Sequence, residues 1–322
     1  MRVVVTGGAG FLGSHLVDRL IELGYQVVVI DNLSTGSLAN IEHHTKHPGF
    51  RFVKGDLREP GLWVSEFRDC IAVFHMAANP EVRHSMVEPL NHYQQNVTAT
   101  MNVLEASRIN NVKYFVFASS STVYGDPRVI PTPEDHPLEP ISVYGATKVL
   151  GEILCSTYAR LYGIRCLSLR YANIVGSRLR HGVVVDFIEK LRRDRSKLEI
   201  LGDGLQRKSY LYVSEAVDAT IRAFEKLTEG DSLTLTYNVG NVDWVSVREI
   251  ADIVVDVLGL EGVSYIFKPG TPDGRGWPGD VKLMLLSIEK ISKDTGWKPL
   301  IPSKHAVRLT AELLARELGW KM

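Results

Sequence analysis

The chain has 322 residues, of which 45% are hydrophobic and 23% charged, enough for a large α/β domain with a smaller lobe. Lys+Arg and Asp+Glu balance at 37 each, so electrostatics give no reason to expect a nucleic-acid or membrane partner. No apolar run reaches membrane-spanning length, and the N-terminus enters a strand pattern rather than a signal peptide, so a cytoplasmic protein is expected.

In chain order, Val3–Val5 reads as a strand buried on both faces. It runs into Thr6-Gly7-Gly8-Ala9-Gly10-Phe11-Leu12-Gly13 and a helix striped by Leu12, Leu16, Leu20 and Leu23. A second strand, Val27–Ile30, ends in Asp31-Asn32. This order of strand, glycine loop, helix, strand and acid is a dinucleotide-binding βαβ unit. Gly7 serves the tight turn, Gly10 the approach of pyrophosphate and Gly13 the packing of helix on strand, while the helix N-terminus offers N–H groups to phosphate. Asp31 accepts from the ribose hydroxyls and repels a 2′-phosphate, so NAD is expected over NADP.

The alternation continues with strands at Phe50–Val53, followed by Gly55-Asp56-Leu57, and at Ile71–His75, followed by Met76-Ala77-Ala78. The small residues leave room for a cofactor at the carboxyl end of the sheet. A helix is expected over Asn91–Ile109 and a strand over Val112–Ala118. Next come Ser119-Ser120-Ser121-Thr122-Val123-Tyr124-Gly125, a proline-rich loop, and Tyr144-Gly145-Ala146-Thr147-Lys148 at the head of a helix. Positions i and i+4 share a helix face, so Lys148 can lower the pKa of the Tyr144 phenol toward that of a working base, with Ser120 across the cleft.

The Tyr144 helix has one stripe of Tyr144, Lys148, Gly151 and Cys155 and a second of Val143, Thr147, Leu150, Leu154 and Leu161. Glu152, Ser156 and Arg160 leave only a narrow wet face. The second stripe is expected to meet a partner helix in a homodimer; the rival is cover by the chain's own C-terminal lobe. A strand follows at Arg165–Arg170. After Asn173 the alternation loosens, with helices over His181–Arg193, Ser214–Leu227, Ser246–Leu258 and about 303–318. Strands are expected over Leu198–Leu201, Lys208–Val213 and Leu233–Val239, and Lys268–Asp280 is a long turn-rich loop of the kind that serves function. The fold expected is a Rossmann-like, doubly wound parallel sheet over residues 1–172, with about 205–258 returning to it, and a smaller mixed α/β lobe over 173–322.

Cys70, Cys155 and Cys166 are odd in number and widely spaced, against a disulfide framework or a zinc knuckle. Glu42-His43-His44 with His47 lacks a second ligand group nearby in sequence, so solvated histidines and no metal are expected.

Together these motifs, with Arg170-Tyr-Ala-Asn173 and Pro278-Gly-Asp280, resemble the extended short-chain dehydrogenase/reductase superfamily over essentially the whole chain. Within it they are similar to nucleotide-sugar epimerases, the archaeal-type UDP-galactose (UDP-glucose) 4-epimerases in particular. The resemblance implies NAD-dependent epimerisation at C4 of a UDP-hexose through a transient 4-keto intermediate, with Tyr144 as base and Ser120 and Lys148 beside it. It implies cofactor contacts from Gly7, Gly10, Phe11, Leu12, Gly13, Asp31, Asn32, Asp56, Leu57, Ala77, Ala78, Asn96, Tyr144 and Lys148. Substrate contacts are implied at Ser120, Ser121, Tyr144, Asn173, Val183, Arg207 and Asp280. Arg207 and Lys208 can also be read as a solvated basic turn.

Related dehydratases and decarboxylating members carry carboxylates just after the catalytic serine or threonine. Here those positions are Ser121 and Thr122, which cannot ionise at neutral pH, so elimination lacks its acid/base pair. Trp277 stands where relatives usually have an arginine, and Arg275 is the substitute expected to reach the substrate. The resemblance places Met284 where family members tune the room around the sugar 2-position, and a flexible methionine of intermediate size does not discriminate plain hexoses from N-acetylhexosamines. Epimerisation of UDP-N-acetylhexosamine or UDP-glucuronate, or another dehydratase or reductase activity of the superfamily, stays open at this point.

Overall fold

The computed structural model describes residues 1–320. Strand β1 (Arg2–Thr6) leads into α1 (Phe11–Glu22), then β2 (Gln26–Asp31) and β3 (Phe50–Lys54). After β4 (Cys70–His75) comes a helical run in three pieces: α2 (Pro89–Tyr93), a π turn over Gln94–Thr98, and α3 (Ala99–Ile109). The helix expected from Asn91 therefore starts at Pro89 and is widened by one turn around Asn96, a distortion that commonly marks a functional position. Strand β5 (Tyr114–Ser120), α4 (Val143–Tyr162) and β6 (Arg165–Tyr171) complete the first half.

The second half contains β7 (Asn173–Val175), α5 (Val183–Arg193), β8 (Lys197–Leu201), β9 (Arg207–Lys208), β10 (Tyr210–Tyr212), α6 (Val213–Glu229) and β11 (Thr234–Val239). It ends with β12 (Val245–Ser246), α7 (Val247–Val257), β13 (Ser264–Lys268), β14 (Leu283–Met284), α8 (Glu289–Thr295) and α9 (Ser303–Glu317). The single strand expected over Lys208–Val213 is broken at Ser209. Strand β9 pairs with β12 and β14, whereas β10 pairs with β7. Lys208 and Tyr210 thus belong to different small sheets.

Seven strands form one parallel sheet in the order β11-β6-β5-β4-β1-β2-β3. This is a Rossmann-like doubly wound sheet whose order reverses at β1, opening a crevice at the strand ends. Because helices cover both faces, the strands are apolar on both sides. Val3, Val5, Val27 and Val29 pack toward Leu16, Leu20 and Phe224 of α1 and α6, and Val4, Val28 and Ile30 toward Leu104, Cys155 and Tyr158 of α3 and α4. The later chain returns to this sheet over α6 and β11, while α7 packs with α5 and α9 around a separate core that includes Phe187, Ile250 and Val307. A fourth small cluster, with Val123, Tyr124, Ala172 and Met284, seals the junction. Cys70, Cys155 and Cys166 are buried free thiols, and no helix among the described residues is long and apolar enough to cross a membrane.

Helix α4 is specified locally and then pulled close. Ser142 caps its start by accepting from the Gly145 N–H at 3.0 Å, and Gly163, left-handed at φ +73°, ends it. A Cβ at Gly151 would lie 2.2 Å from Cζ of buried Phe117 on β5. Replacing Gly151 by Ala is therefore expected to destabilise the fold by about 1–3 kcal/mol despite alanine's better helix propensity. Urea unfolding measures this, and an unchanged midpoint would show that α4 can lift away freely.

Candidate active site

At the reversal of strand order, Gly7 takes φ +67°, and a Cβ there would sit 2.6 Å from the Ala77 N and Cα. The turns after β1 and β4 therefore touch backbone to backbone. At Gly13 a Cβ would lie 2.2 Å from the Gly7 carbonyl oxygen, so the glycine lets α1 start directly against the loop. No side chain caps α1 at Gly10, which leaves its first N–H groups facing the loop without a side-chain acceptor. The Asp31 carboxylate is buried and accepts from the Ala9 and Leu33 N–H groups at 3.0 and 2.8 Å. Each oxygen retains lone-pair capacity for ribose hydroxyls. Burial pushes the Asp31 carboxyl above its ordinary value, opposed by those two N–H groups. Uncapped helix, close-packed glycines and second-strand acid fit a dinucleotide such as NAD.

Asn32 and Asp56 meet at the ends of β2 and β3, 3.5 Å apart, and Arg58 holds Asp56 through its backbone and guanidinium. That guanidinium keeps the Asp56 carboxyl below its usual range. Leu57 is buried, and its carbonyl accepts from Asn102. Asn96, in the π turn, accepts from the Asn79 N–H at 2.7 Å and donates to the Asn79 carbonyl and to Thr147. It thus braces the loop containing Ala77 and Ala78 against α4. His75, behind the loop, bonds Thr6 and Thr100, and burial lowers it to about 3, so it is neutral.

The structure brings Ser120, Tyr144 and Lys148 together. Tyr144 is 9% and Lys148 4% exposed. Lys148 Nζ donates to the Ala118 carbonyl at 2.8 Å and lies 5.6 Å from the Tyr144 ring centre and 5.2 Å from that of Phe117. Burial lowers Lys148 to about 8 and raises Tyr144 to about 12. Desolvation dominates and only the Ser120 hydroxyl eases ionisation of Tyr144, so the lowering expected from Lys148 is not seen. Ser120 Oγ also accepts from Thr122, through the backbone N–H at 3.2 Å and the hydroxyl at 3.0 Å. Ser121 is buried beside it.

On the other side of the crevice, Asn173 donates to the Ser209 carbonyl at 3.2 Å. Val183 opens α5, behind an uncapped Gly182 at φ +93°. The basic pair on β9 divides by strand alternation. Arg207 is exposed over the Trp244 ring, whereas Lys208 Nζ lies 2.8 Å from buried Asp280 and 6.0 Å from the Trp277 ring centre. Lys208 is thus the cation on the Asp280 side. The period-two pattern of a strand was the signal that could have separated the two. Arg275 is already engaged, with Asp126 at 2.9 Å through two nitrogens, with Asp273 at 2.7 Å, and with the Asp280 carbonyl. It pins the Lys268–Asp280 loop to the segment after Gly125.

Glu152 belongs with this group although its sequence position reads as solvated. It pairs with Arg170, their side chains 9% and 7% exposed. The histidines of the loop after β2 are likewise tied down. His43 and His44 both approach Asp18 Oδ1, at 2.9 and 2.7 Å, and Arg178 takes the other oxygen at 2.9 Å.

Residues 3–240 match the sequence model of the NAD dependent epimerase/dehydratase family. A protein of Methanocaldococcus jannaschii described as a putative UDP-glucose 4-epimerase is 38% identical over 312 residues, covering 95% of this chain and 96% of that one. A crystal structure of UDP-galactose 4-epimerase is 54% identical with a TM-score of 0.89, covering 99% and 100% of the two chains. A UDP-glucose 4-epimerase from Thermotoga maritima, crystallised with UDP-glucose, is 33% identical with a TM-score of 0.87 at 99% and 100% coverage.

The buried ammonium carries a stability signature. Its folded pKa of about 8 lies below the ordinary 10.5. Between those values the unfolded chain holds more protons, and this group makes stability rise with pH. Relative to Lys148→Met, the native chain is expected to gain roughly 3 kcal/mol across that window. Urea titrations of both proteins at neutral pH and at the alkaline end read the difference. A gap independent of pH would mean the ammonium is not desolvated.

Proposed function

The chain belongs to the NAD dependent epimerase/dehydratase family, and from that premise we propose that it interconverts UDP-glucose and UDP-galactose by epimerisation at C4, an activity of galactose metabolism. The observation that carries the reading is buried Tyr144 and Lys148 beside half-buried Ser120, with non-ionising Ser121 and Thr122 next to it, at the mouth of a dinucleotide cradle. The nearby carboxylates are committed elsewhere, Glu152 to Arg170 and Glu134 to the Asn238 N–H. Removing and returning hydride at one carbon needs a single base, whereas eliminating water needs a further acid/base pair. The named relatives, described as 4-epimerases over nearly their full length, support the same reaction.

NAD, when bound, supplies the acceptor and donor of the C4 hydride. Tyr144 takes the proton of the 4-hydroxyl as that carbon becomes a ketone and returns it after the keto sugar has presented its other face. Ser120 donates to the same oxygen and relays the proton. Lys148 holds positive charge near the phenol, so proton transfer is favoured as the phenolate develops. Asp31, Asn32 and Asp56 hold the adenosine side of the cofactor, and the loop with Ala77 and Ala78 its nicotinamide side. Lys208, Asn173 and the N-terminus of α5 at Val183 hold the nucleotide diphosphate, with Asp280 on the ribose. Arg207 lies at the rim, and Arg275 contributes by fixing the loop.

We propose a homodimer through α4, although Thr147 and Leu154 of the expected stripe pack within the chain. Leu150, Ile153 and Leu161 are 40%, 53% and 66% exposed, and Met101 of α3 39%. These residues lie outside the cover of the chain's described C-terminal lobe, and a second copy of the same face can bury them.

Incubation with UDP-galactose, without added NAD, is expected to yield UDP-glucose. Tyr144→Phe should keep NAD and substrate binding while lowering turnover by at least about a thousandfold. UDP-glucuronate or UDP-N-acetylglucosamine turning over in place of UDP-galactose would reassign the substrate, and no conversion even with excess NAD would defeat the reading. For the dimer, Ile153→Glu should halve the mass seen by light scattering at micromolar concentration; a wild type already monomeric there would remove the interface.

A further inference from the structure

Behind the reacting group lies a buried charged network that the C4 chemistry does not use. Glu152 sits one turn beyond Lys148 on α4, and Arg170 lies on β6 as the register partner of Ser119 on β5. The pair is bidentate, with Arg170 Nε donating to Oε1 at 2.9 Å and Nη2 to Oε2 at 2.7 Å. Ser119 donates its hydroxyl to the same Glu152 Oε1 at 2.5 Å. Arg170 Nη1 donates to the Tyr124 hydroxyl and to the Glu134 carbonyl, both at 2.8 Å. Tyr124 in turn donates to Asn238 Oδ1 at 2.7 Å, and the Asn238 amide donates to the carbonyls of Thr132 and Ser287.

We propose that the Glu152–Arg170 pair is the positioning device of the reaction centre, fixing Ser120 through Ser119 and tying that setting to the segments around Thr132 and Ser287 that close the junction. Residues 118 and 119 at the end of β5 are gripped from two successive turns of α4, Ala118 by Lys148 and Ser119 by Glu152. Ser120 is the next and last residue of the same strand, so the grip on residues 118 and 119 constrains where it emerges. A planar guanidinium and a carboxylate locked in two parallel bonds fix direction as well as distance, which a single hydroxyl or amide contact would not. Such a pair resists reorientation because neither charge has water to turn to. The inference rests on the assignment of Ser120 and Tyr144 made above.

The test is a double-variant cycle with Glu152→Gln, which keeps the shape and removes the charge, and Ser119→Ala, which removes one hydroxyl and is mild enough to fold. Glu152→Gln is expected to lower kcat for UDP-galactose roughly ten- to hundredfold and Ser119→Ala several-fold. In both, KM and the bound NAD content should stay within about twofold, because no contact to substrate or cofactor is lost. The double variant should fall no more than about twofold below Glu152→Gln alone, since both act through one bond. A kcat unchanged in folded Ser119→Ala, a loss confined to KM or NAD content, or additive losses would each overturn the positioning role. If the wild type converts no UDP-sugar, the C4 reading fails separately. Crystals of Ser119→Ala then decide the matter: Ser120 Oγ displaced from the Tyr144 phenol by about 1 Å supports positioning, and an unmoved Ser120 defeats it.

Discussion

A lysine ammonium buried against the Ala118 carbonyl is the constraint around which the rest of the site is built. Burying that charge is unfavourable unless the group is held by good acceptors and faced by polarisable surfaces. The Ala118 carbonyl and the faces of Phe117 and Tyr144 supply these. Reaching them requires α4 to lie close on β5, which explains Gly151 over the Phe117 ring and Gly145 against the Thr122 carbonyl. Thr147 then ties the helix to Asn96 and hence to the loop after β4. One buried cation thus fixes the mutual placement of α4, β5 and the cofactor-side loop.

The junction between the two halves is polar where the cores on either side are apolar. The network from Glu152 through Arg170, Tyr124 and Asn238 runs from Ser119 at the end of β5 to the backbone around Thr132 and Ser287. Arg275 with Asp126 pins the turn-rich loop, and Lys208 pairs with buried Asp280. Hydrogen bonds and ion pairs at this seam specify orientation, which a hydrophobic contact of the same area would leave looser. A reaction that exposes both faces of one sugar ring to one set of groups needs a fixed frame around a substrate that turns.

Much of this was legible because it is local. The glycine spacing through Gly13, the acid at Asp31 and the Tyr144–Lys148 interval each lie within one βαβ unit or one helical turn, where period and φ requirements fix geometry. The same holds for the missing acids at Ser121 and Thr122, since their relation to Ser120 is set by adjacency. The split of Lys208–Val213 into two strands was not local. It depends on Ser209 donating to Met284, a contact across 75 residues.

By itself, then, the sequence determined the parallel Rossmann-like sheet, the dinucleotide loop and the placing of Tyr144 and Lys148 on one helix face, because periodicity and short spacings are properties of the chain alone. Only the tertiary structure decided which polar residues face each other. Glu152 occupies a position that reads as solvent on a helical wheel and is buried because Arg170 arrives from the neighbouring strand. Arg275 looks available for a phosphate and is consumed by Asp126, while Lys208 rather than Arg207 turns toward Asp280. Charge partners are chosen by which strand lies beside which helix, and residue spacing along the chain carries no record of that choice.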